Sequence, residues 1–295
     1  MKIIKRIALI VGLIFLSVVG GHLYFLSTLN ATETYEEDTF LNAATKKRAL
    51  VVMAHDDDAC ASSGTIAKLT QAGWDIKQIS FQDGNEKRAK LYENIAAIIM
   101  NGGIQYINAP NEHYRKDENN KQKYMPIEKS QHQAIFHTHL IEERLRTAIA
   151  EFKPSIIFSL DDHVGGYGHP DHVFISSLVL NICQDQSLGI ERIYQSVYPP
   201  SMEYNVNVKW NNMWNKFNVY EKAREVYQEP EGMPTPTCSI NIYSVADKKM
   251  TYLSSFLKHE QKNLKKFIPG YHYYPSWLYF WLFNKEYFHV IEVSS

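Results

Sequence analysis

Cysteine is scarce in this chain of 295 residues: there are three, Cys60, Cys183 and Cys238, and no Cys-x-x-Cys pair. That leaves room for one disulfide at most and sets aside a cysteine-built zinc knuckle. Charge imbalance is also lacking, with a formal net charge of -1. Long-range attraction to nucleic acid has no electrostatic basis, and no nucleic-acid partner is expected. There is no internal repeat. No glycine-rich phosphate loop follows the first apolar run; His55 and three aspartates stand there instead and would repel phosphate. A nucleotide-binding α/β protein is thereby disfavoured. What remains is an ordinary globular balance, 45% hydrophobic and 21% charged.

The longest apolar run lies at the start. MKIIKR carries Lys2, Lys5 and Arg6, and Ile7 to Leu26 then hold no acidic or basic residue except His22. Such a run, at about 1.5 Å per residue, spans roughly 30 Å, one hydrocarbon core. A basic leader stays on the cytoplasmic side, which puts the remainder outside. The expectation is a membrane anchor over residues 7–26 with an extracytoplasmic domain. A cleaved signal peptide, giving a secreted protein, and a buried helix of the fold are the competing readings. The division that follows is 1–30 as the leader, 31–46 as a linker and 47–295 as one domain.

Beyond the leader, apolar runs alternate with helical patterns. RALVVMAH (48–55), DIKQIS, IQYIN, KPSIIFSL (153–160) and IERIYQSVY read as strands. SGTIAKLTQAG, EKRAKLYENIAAIIMNGG, a segment near 133–151 and DHVFISSLVLNICQD read as helices. The alternation predicts an α/β fold, a mostly parallel sheet flanked by helices. Residues 109–131 are polar and expected as a loop or lid, and 202–238 as loop. ADKKMTYLSSFLKHEQKNL is expected as one helix. YHYYPSWLYFWLF (271–283) is expected as core or as a wall over a site, with a membrane-contacting surface or a partner surface as the alternatives. Trp210, Trp214, Tyr271, Tyr273 and Trp277 are candidates to stack on a sugar, with core packing as the plainer reading.

Two clusters carry chemistry, and each follows a strand, where α/β sheets place their sites. The first is AHDDDA (54–59). If the chain turns into a helix here, His55 and Asp58 face one point while Asp57 projects separately. Helix capping accounts for one aspartate well and for three poorly. The second is GGYGHPDH (165–172). Its glycines permit left-handed backbone, and Pro170 stiffens the loop that presents His169, Asp171 and His172. A structured turn is the alternative. Together the clusters supply two imidazoles and a carboxylate for zinc with an open position, plus spare groups for proton transfer. Hydrolysis is what this equipment does best.

AHDDDA and GYGHPDH, with their spacing and strand context, resemble the LmbE-like, or PIG-L, family of zinc-dependent N-acetylglucosaminyl deacetylases. The likeness covers roughly residues 47–195. It implies a Rossmann-like, LmbE-like sheet, zinc as cofactor, and an N-acetylated amino sugar or glycan as substrate. It makes His55, Asp58 and His172 the ligands and Asp57 the general base. It sets His169 opposite the water, to stabilise the developing oxyanion or protonate the leaving amine, with Asp171 holding its ring and Tyr167 as an oxyanion donor. The QDG turn (82–84), Lys90 in an arginine position with Glu93, and Asp247, His259 and Gln261 are weaker echoes. The chain departs from AHPDDE at Asp56, which replaces proline and adds a third carboxylate, and at Ala59, which replaces glutamate. Other readings are a zinc hydrolase of another amide and a membrane-anchored, non-catalytic sugar-binding relative.

Overall fold

RALVV and IIFSL pair side by side at the centre of the molecule. They form β1 (Arg48–Val52) and β4 (Ile156–Leu160) in a computed structural model that describes residues 2–82, 85–109 and 112–293. Both strands are buried almost throughout because helices cover both faces of the sheet. The period of two is visible in the core: Ala49, Val51 and Met53 join one apolar cluster, while Leu50, Val52 and Ala54 join the other. The first cluster also holds Ile66, Tyr92 and Tyr252, from the helices Ser63–Gln71, Glu86–Ala96 and Ala246–Ser254. The second holds Leu145 and Val179, from Thr138–Phe152 and Pro170–Cys183.

Completing the sheet are β2 (Asp75–Ser80), β3 (Ile104–Tyr106), β5 (Arg192–Ser196), β6 (Cys238–Asn241) and β7 (Lys285–Glu292). The order is β3-β2-β1-β4-β5-β7-β6. Strands β1 to β5 pair in parallel, as expected. β7 runs antiparallel to both β5 and β6, so the sheet is mixed. From β1 the chain winds toward β3, and from β4 it winds the other way. The carboxyl ends of β1 and β4 therefore flank a topological switch point, where crevices open in such sheets.

Three expectations need correction. The segment from 200 is not loop but a series of short turns of helix: Pro200–Glu203, a wide π-helical stretch Tyr204–Trp210, Asn211–Trp214 and Val219–Val226. Pieces of four to eight residues are too short to show a period. The helix expected from 246 breaks into Ala246–Ser254 and Lys258–Phe267. Glu260 turns back to accept the Leu257 N–H at 3.0 Å, while Gln261 donates to the carbonyls of Ser254 and Phe256 at 2.8 Å each. Both halves of the break are thus satisfied. Of the aromatic segment, Tyr271, Tyr279 and Phe280 are core, but Tyr273, Trp277 and Trp281 face outward.

The apolar leader is one helix, Lys2–Ser27, long and apolar enough to cross a membrane. Its last turns do not stand free. Leu26 and Leu29 are buried, the His22 ring meets the Tyr274 hydroxyl at 2.6 Å, and the Asn30 amide donates to the Leu282 carbonyl at 2.7 Å. Past it, Asp38 accepts from the Tyr194 hydroxyl at 3.0 Å, and the chain bridges to β6 at Glu37 and Ser239.

Candidate metal centre

Strand β1 ends on a turn that folds back on itself. The short 3₁₀ helix Asp58–Ala61 begins three residues after His55, and the His55 N–H donates to Asp58 Oδ2 at 2.8 Å. The same oxygen lies 3.2 Å from His55 Nδ1. Strand β4 ends on Asp161, a buried carboxylate that accepts three backbone N–H groups: Val164 at 2.7 Å, Gly165 at 3.1 Å and Gly166 at 2.7 Å. This fastens the glycine loop. At Gly165, with φ of 59°, an added Cβ would sit 2.6 Å from the His172 Cβ, so the close approach requires glycine. His169 then caps the helix Pro170–Cys183, with proline at its first position.

The two turns meet. The Gly165 carbonyl accepts from His172 Nδ1 at 2.9 Å, which leaves Nε2 as a lone pair. His55 Nε2 faces Asp171 Oδ2 at 3.3 Å, which assigns its proton to that side and leaves Nδ1 as a lone pair. His55 Nδ1, His172 Nε2 and Asp58 Oδ2 then form a triangle with sides of 3.2 Å each. With both rings neutral, three acceptors would converge with no proton between them. In neutral tautomers such a cluster is repulsive, and a cation resolves it. Tetrahedral zinc with bonds of about 2.0–2.1 Å sets its ligand atoms roughly 3.3–3.4 Å apart, close to the spacing found. His55, Asp58 and His172 can hold a metal ion by this measure. His55, His169 and Asp171 form a second such group. There the Asp171 carboxylate is already engaged, by the Arg115 guanidinium and by the Tyr114 hydroxyl at 2.7 Å.

Charges follow the geometry. Burial alone would lower His55, but the carboxylates of Asp58 and Asp171 hold it well above the usual imidazole range. Burial opposes ionisation of Asp58, yet His172 and His55 hold its carboxyl well below the ordinary value. Asp57 is the reverse: burial, then the charge of Asp58, raises it. His169 is pushed down to about 3, first by burial. Its Nδ1 accepts the Asp171 backbone N–H at 3.2 Å, so the neutral ring carries its proton on Nε2. Asp171 was expected behind His169. Its carboxylate stands 3.3 Å from His55 Nε2 and 3.7 Å from His169 Nδ1, so it serves His55 more closely. Tyr167 lies edge-on to His172 at 5.1 Å and stacks on Phe267 at 4.5 Å.

A cleft of about 500 Å³ opens over the triangle, lined by His55, Asp57, Asp58, Tyr167 and His169. Its aromatic rim is Tyr124 and Phe217. Trp210, Trp214, Tyr271, Tyr273 and Trp277 are not among its lining residues. His259 is on its wall; Gln261 instead ties two helices together.

The departures from the family pattern have structural answers. Asp56 points away from the triangle to Arg88, whose Nε lies at 3.2 Å and Nη2 closer, and to the Tyr106 hydroxyl at 3.3 Å. Burial raises the Asp56 carboxyl to about 6 against the pull of Arg88. Arg88 also pairs with Glu260 and reaches Asp57 Oδ1 at 3.4 Å. The arginine of this helix that meets the site is therefore Arg88, while Lys90 and Glu93 face solvent. Ala59 is buried in the apolar core. Asp83 and Gly84 of the QDG turn lie outside the described residues.

Sequence reading missed Asp161, Arg115, Tyr114 and Arg88. Asp161 carried a faint signal, a carboxylate directly after an apolar strand in SLDDH. Asp161→Asn is expected to loosen the loop that aims His172 and to weaken zinc binding about 10–100-fold, measured by chelator competition.

The sequence model of the family described as PIG-L: GlcNAc-PI de-N-acetylase matches residues 50–183, the span that contains both turns and all three triangle residues. Over this span, a little under half of the chain, the sequence resembles the PIG-L family. No curated protein matches the chain in sequence. Solved structures similar to this chain include N,N'-diacetylchitobiose deacetylase from Pyrococcus horikoshii, at 13% identity and a TM-score of 0.48, covering 86% of this chain and 90% of that one. Another is GalB, the 4-carboxy-2-hydroxymuconate hydratase of Pseudomonas putida, at 14% identity and 0.46, covering 83% and 96%. A third is the A40926 pseudoaglycone deacetylase Dbv21, at 15% and 0.40, covering 85% and 99%.

Proposed function

We propose that this chain is a zinc-dependent amide hydrolase that removes the N-acetyl group from an acetylated amino sugar or glycan. The observation that carries the reading is the 3.2 Å triangle of two imidazole lone pairs and a carboxylate oxygen at the floor of an open cleft. His55, Asp58 and His172 would hold the zinc. When bound, the ion polarises an amide carbonyl and lowers the pKa of water to about 7.

The remaining groups divide the proton work. Asp57 stands beside the triangle without joining it, and its raised pKa favours accepting a proton from water. Once protonated, it has a proton to return to the leaving amine. His169, neutral with its proton on Nε2, suits donation to the developing oxyanion better than delivery of a proton. Tyr167 offers a second donor from the same wall. Asp171, held by Arg115 and Tyr114, fixes the tautomer of His55.

The amine side of the substrate faces a polar wall that includes Asn215, Asn218 and Asn263, suited to hydroxyl groups. The leader favours an anchor over a cleaved signal, because cleavage after residue 26 or 30 would remove Leu26 from the core beside Gly270. With the basic end inside, the domain is extracytoplasmic. The test is zinc content measured together with acetate release from a panel of N-acetylhexosamine glycans. About one zinc per chain with acetate released supports the reading; glycan binding with zinc present and no acetate would make it a binding relative instead.

A further inference from the structure

A second cavity, of about 150 Å³, borders the triangle at Asp58 and His172, and neither the sequence nor the family description assigns it a role. Asp58 and His172 line it directly, and Asp58, Tyr167 and Phe267 are shared with the polar cleft. Its other walls are largely apolar: Leu160, Val197, Met202, Met233, Tyr279 and Phe280. Three charged groups also border it, Lys249, Glu286 and Lys285. Glu286 accepts the N–H groups of Gly64 at 2.8 Å and Thr65 at 2.7 Å, and Lys249 pairs with Glu286. The stacked pair Tyr167 and Phe267, at 4.5 Å, stands where the two spaces adjoin.

An amide has two arms. With its carbonyl at the triangle, a polar amine arm fits the asparagine-lined cleft, and the acyl arm fits the apolar cavity. An acetyl group would bring one methyl carbon into a space that, at this size and lining, accepts a six-carbon molecule such as benzene. We infer that the cavity is an acyl-binding site and that the preferred substrate is an N-acyl amino sugar with an aliphatic chain of about six carbons. This rests on the amide-hydrolase reading above and replaces acetyl by a longer acyl group as its preferred substrate. The reaction balances as before: water adds to the acyl carbon, the C–N bond breaks, and a fatty carboxylate and a protonated amine are released. Each methylene placed in the cavity strengthens binding by roughly fourfold, so hexanoyl over acetyl amounts to on the order of a hundredfold.

The test has two arms on the full zinc-loaded chain. Calorimetry compares acetate, butyrate and hexanoate, which are products and bind whatever the amine is. Hydrolysis is then followed over N-acetyl, N-butyryl and N-hexanoyl glucosamine. The expected result is an affinity and a kcat/KM that rise with chain length to hexanoyl. Val197→Phe and Met202→Trp, which add bulk to the cavity wall, should each abolish the rise with chain length. Equal or falling affinity from acetate to hexanoate overturns the inference while acetate release leaves the deacetylase reading intact. A rise in carboxylate affinity with no amide hydrolysed supports the cavity and sinks the hydrolase reading instead.

Discussion

Replacing Asp57 by asparagine is expected to leave zinc content unchanged and to lower amide hydrolysis about 10²–10⁴-fold, the contribution typical of a positioned general base. The carboxylate stands outside the 3.2 Å triangle, so no ligand is lost. It is also a strained place for a charge. Burial and Asp58 both raise its pKa, and only Arg88 and His55 among the named charges oppose them. A carboxyl raised in the fold contributes stability that is fully present below its unfolded value and is lost as pH rises through its folded value. At neutral pH the asparagine should therefore cost the metal-free protein no melting temperature. That separates a catalytic role from a structural one. Full activity with full zinc would remove Asp57 from the role of base; loss of zinc would make it a ligand.

What could be read from the sequence was what lay close together in it. AHDDDA and GYGHPDH each gather their groups within a few residues, at the end of a strand whose apolar run is plain. The strand alternation then placed both at the carboxyl edge of a sheet, and the order of β1 and β4 makes them neighbours. The groups that hold the site were not legible because their partners are distant. Arg115 reaches Asp171 across 56 residues, and Arg88 reaches Glu260 across 172. A buried arginine in a polar loop looks like any solvated charge until its carboxylate is found. Asp56 misled for the same reason: on the page it adds a charge to the cluster, and in space Arg88 takes it. β6 and β7 escaped because they join the sheet antiparallel, after a stretch of helical pieces too short to show a period.

Replacing His172 by alanine tests the other half of the site, and the comparison with His169→Ala makes it decisive. The two rings stack 4.9 Å apart, and each belongs to one of the two groups able to hold a metal with His55. They differ in what their nitrogens do. His172 spends Nδ1 on the Gly165 carbonyl and turns Nε2 toward Asp58; His169 spends Nδ1 as an acceptor and keeps its proton on Nε2, which cannot then bind a metal. His172→Ala leaves two ligands where three converged and orphans a buried carbonyl. It should therefore lose the metal, from about one zinc per chain to a trace, and activity with it. His169→Ala should keep the zinc and lose on the order of 10²–10³ in kcat as an oxyanion donor is removed. Circular dichroism and the metal content of each variant are read before activity, so that an unfolded chain is not mistaken for an empty site. Zinc retained by His172→Ala and lost by His169→Ala would move the ion to the group containing Asp171, and Asp58 with its two imidazoles would then need another cation or a proton between them.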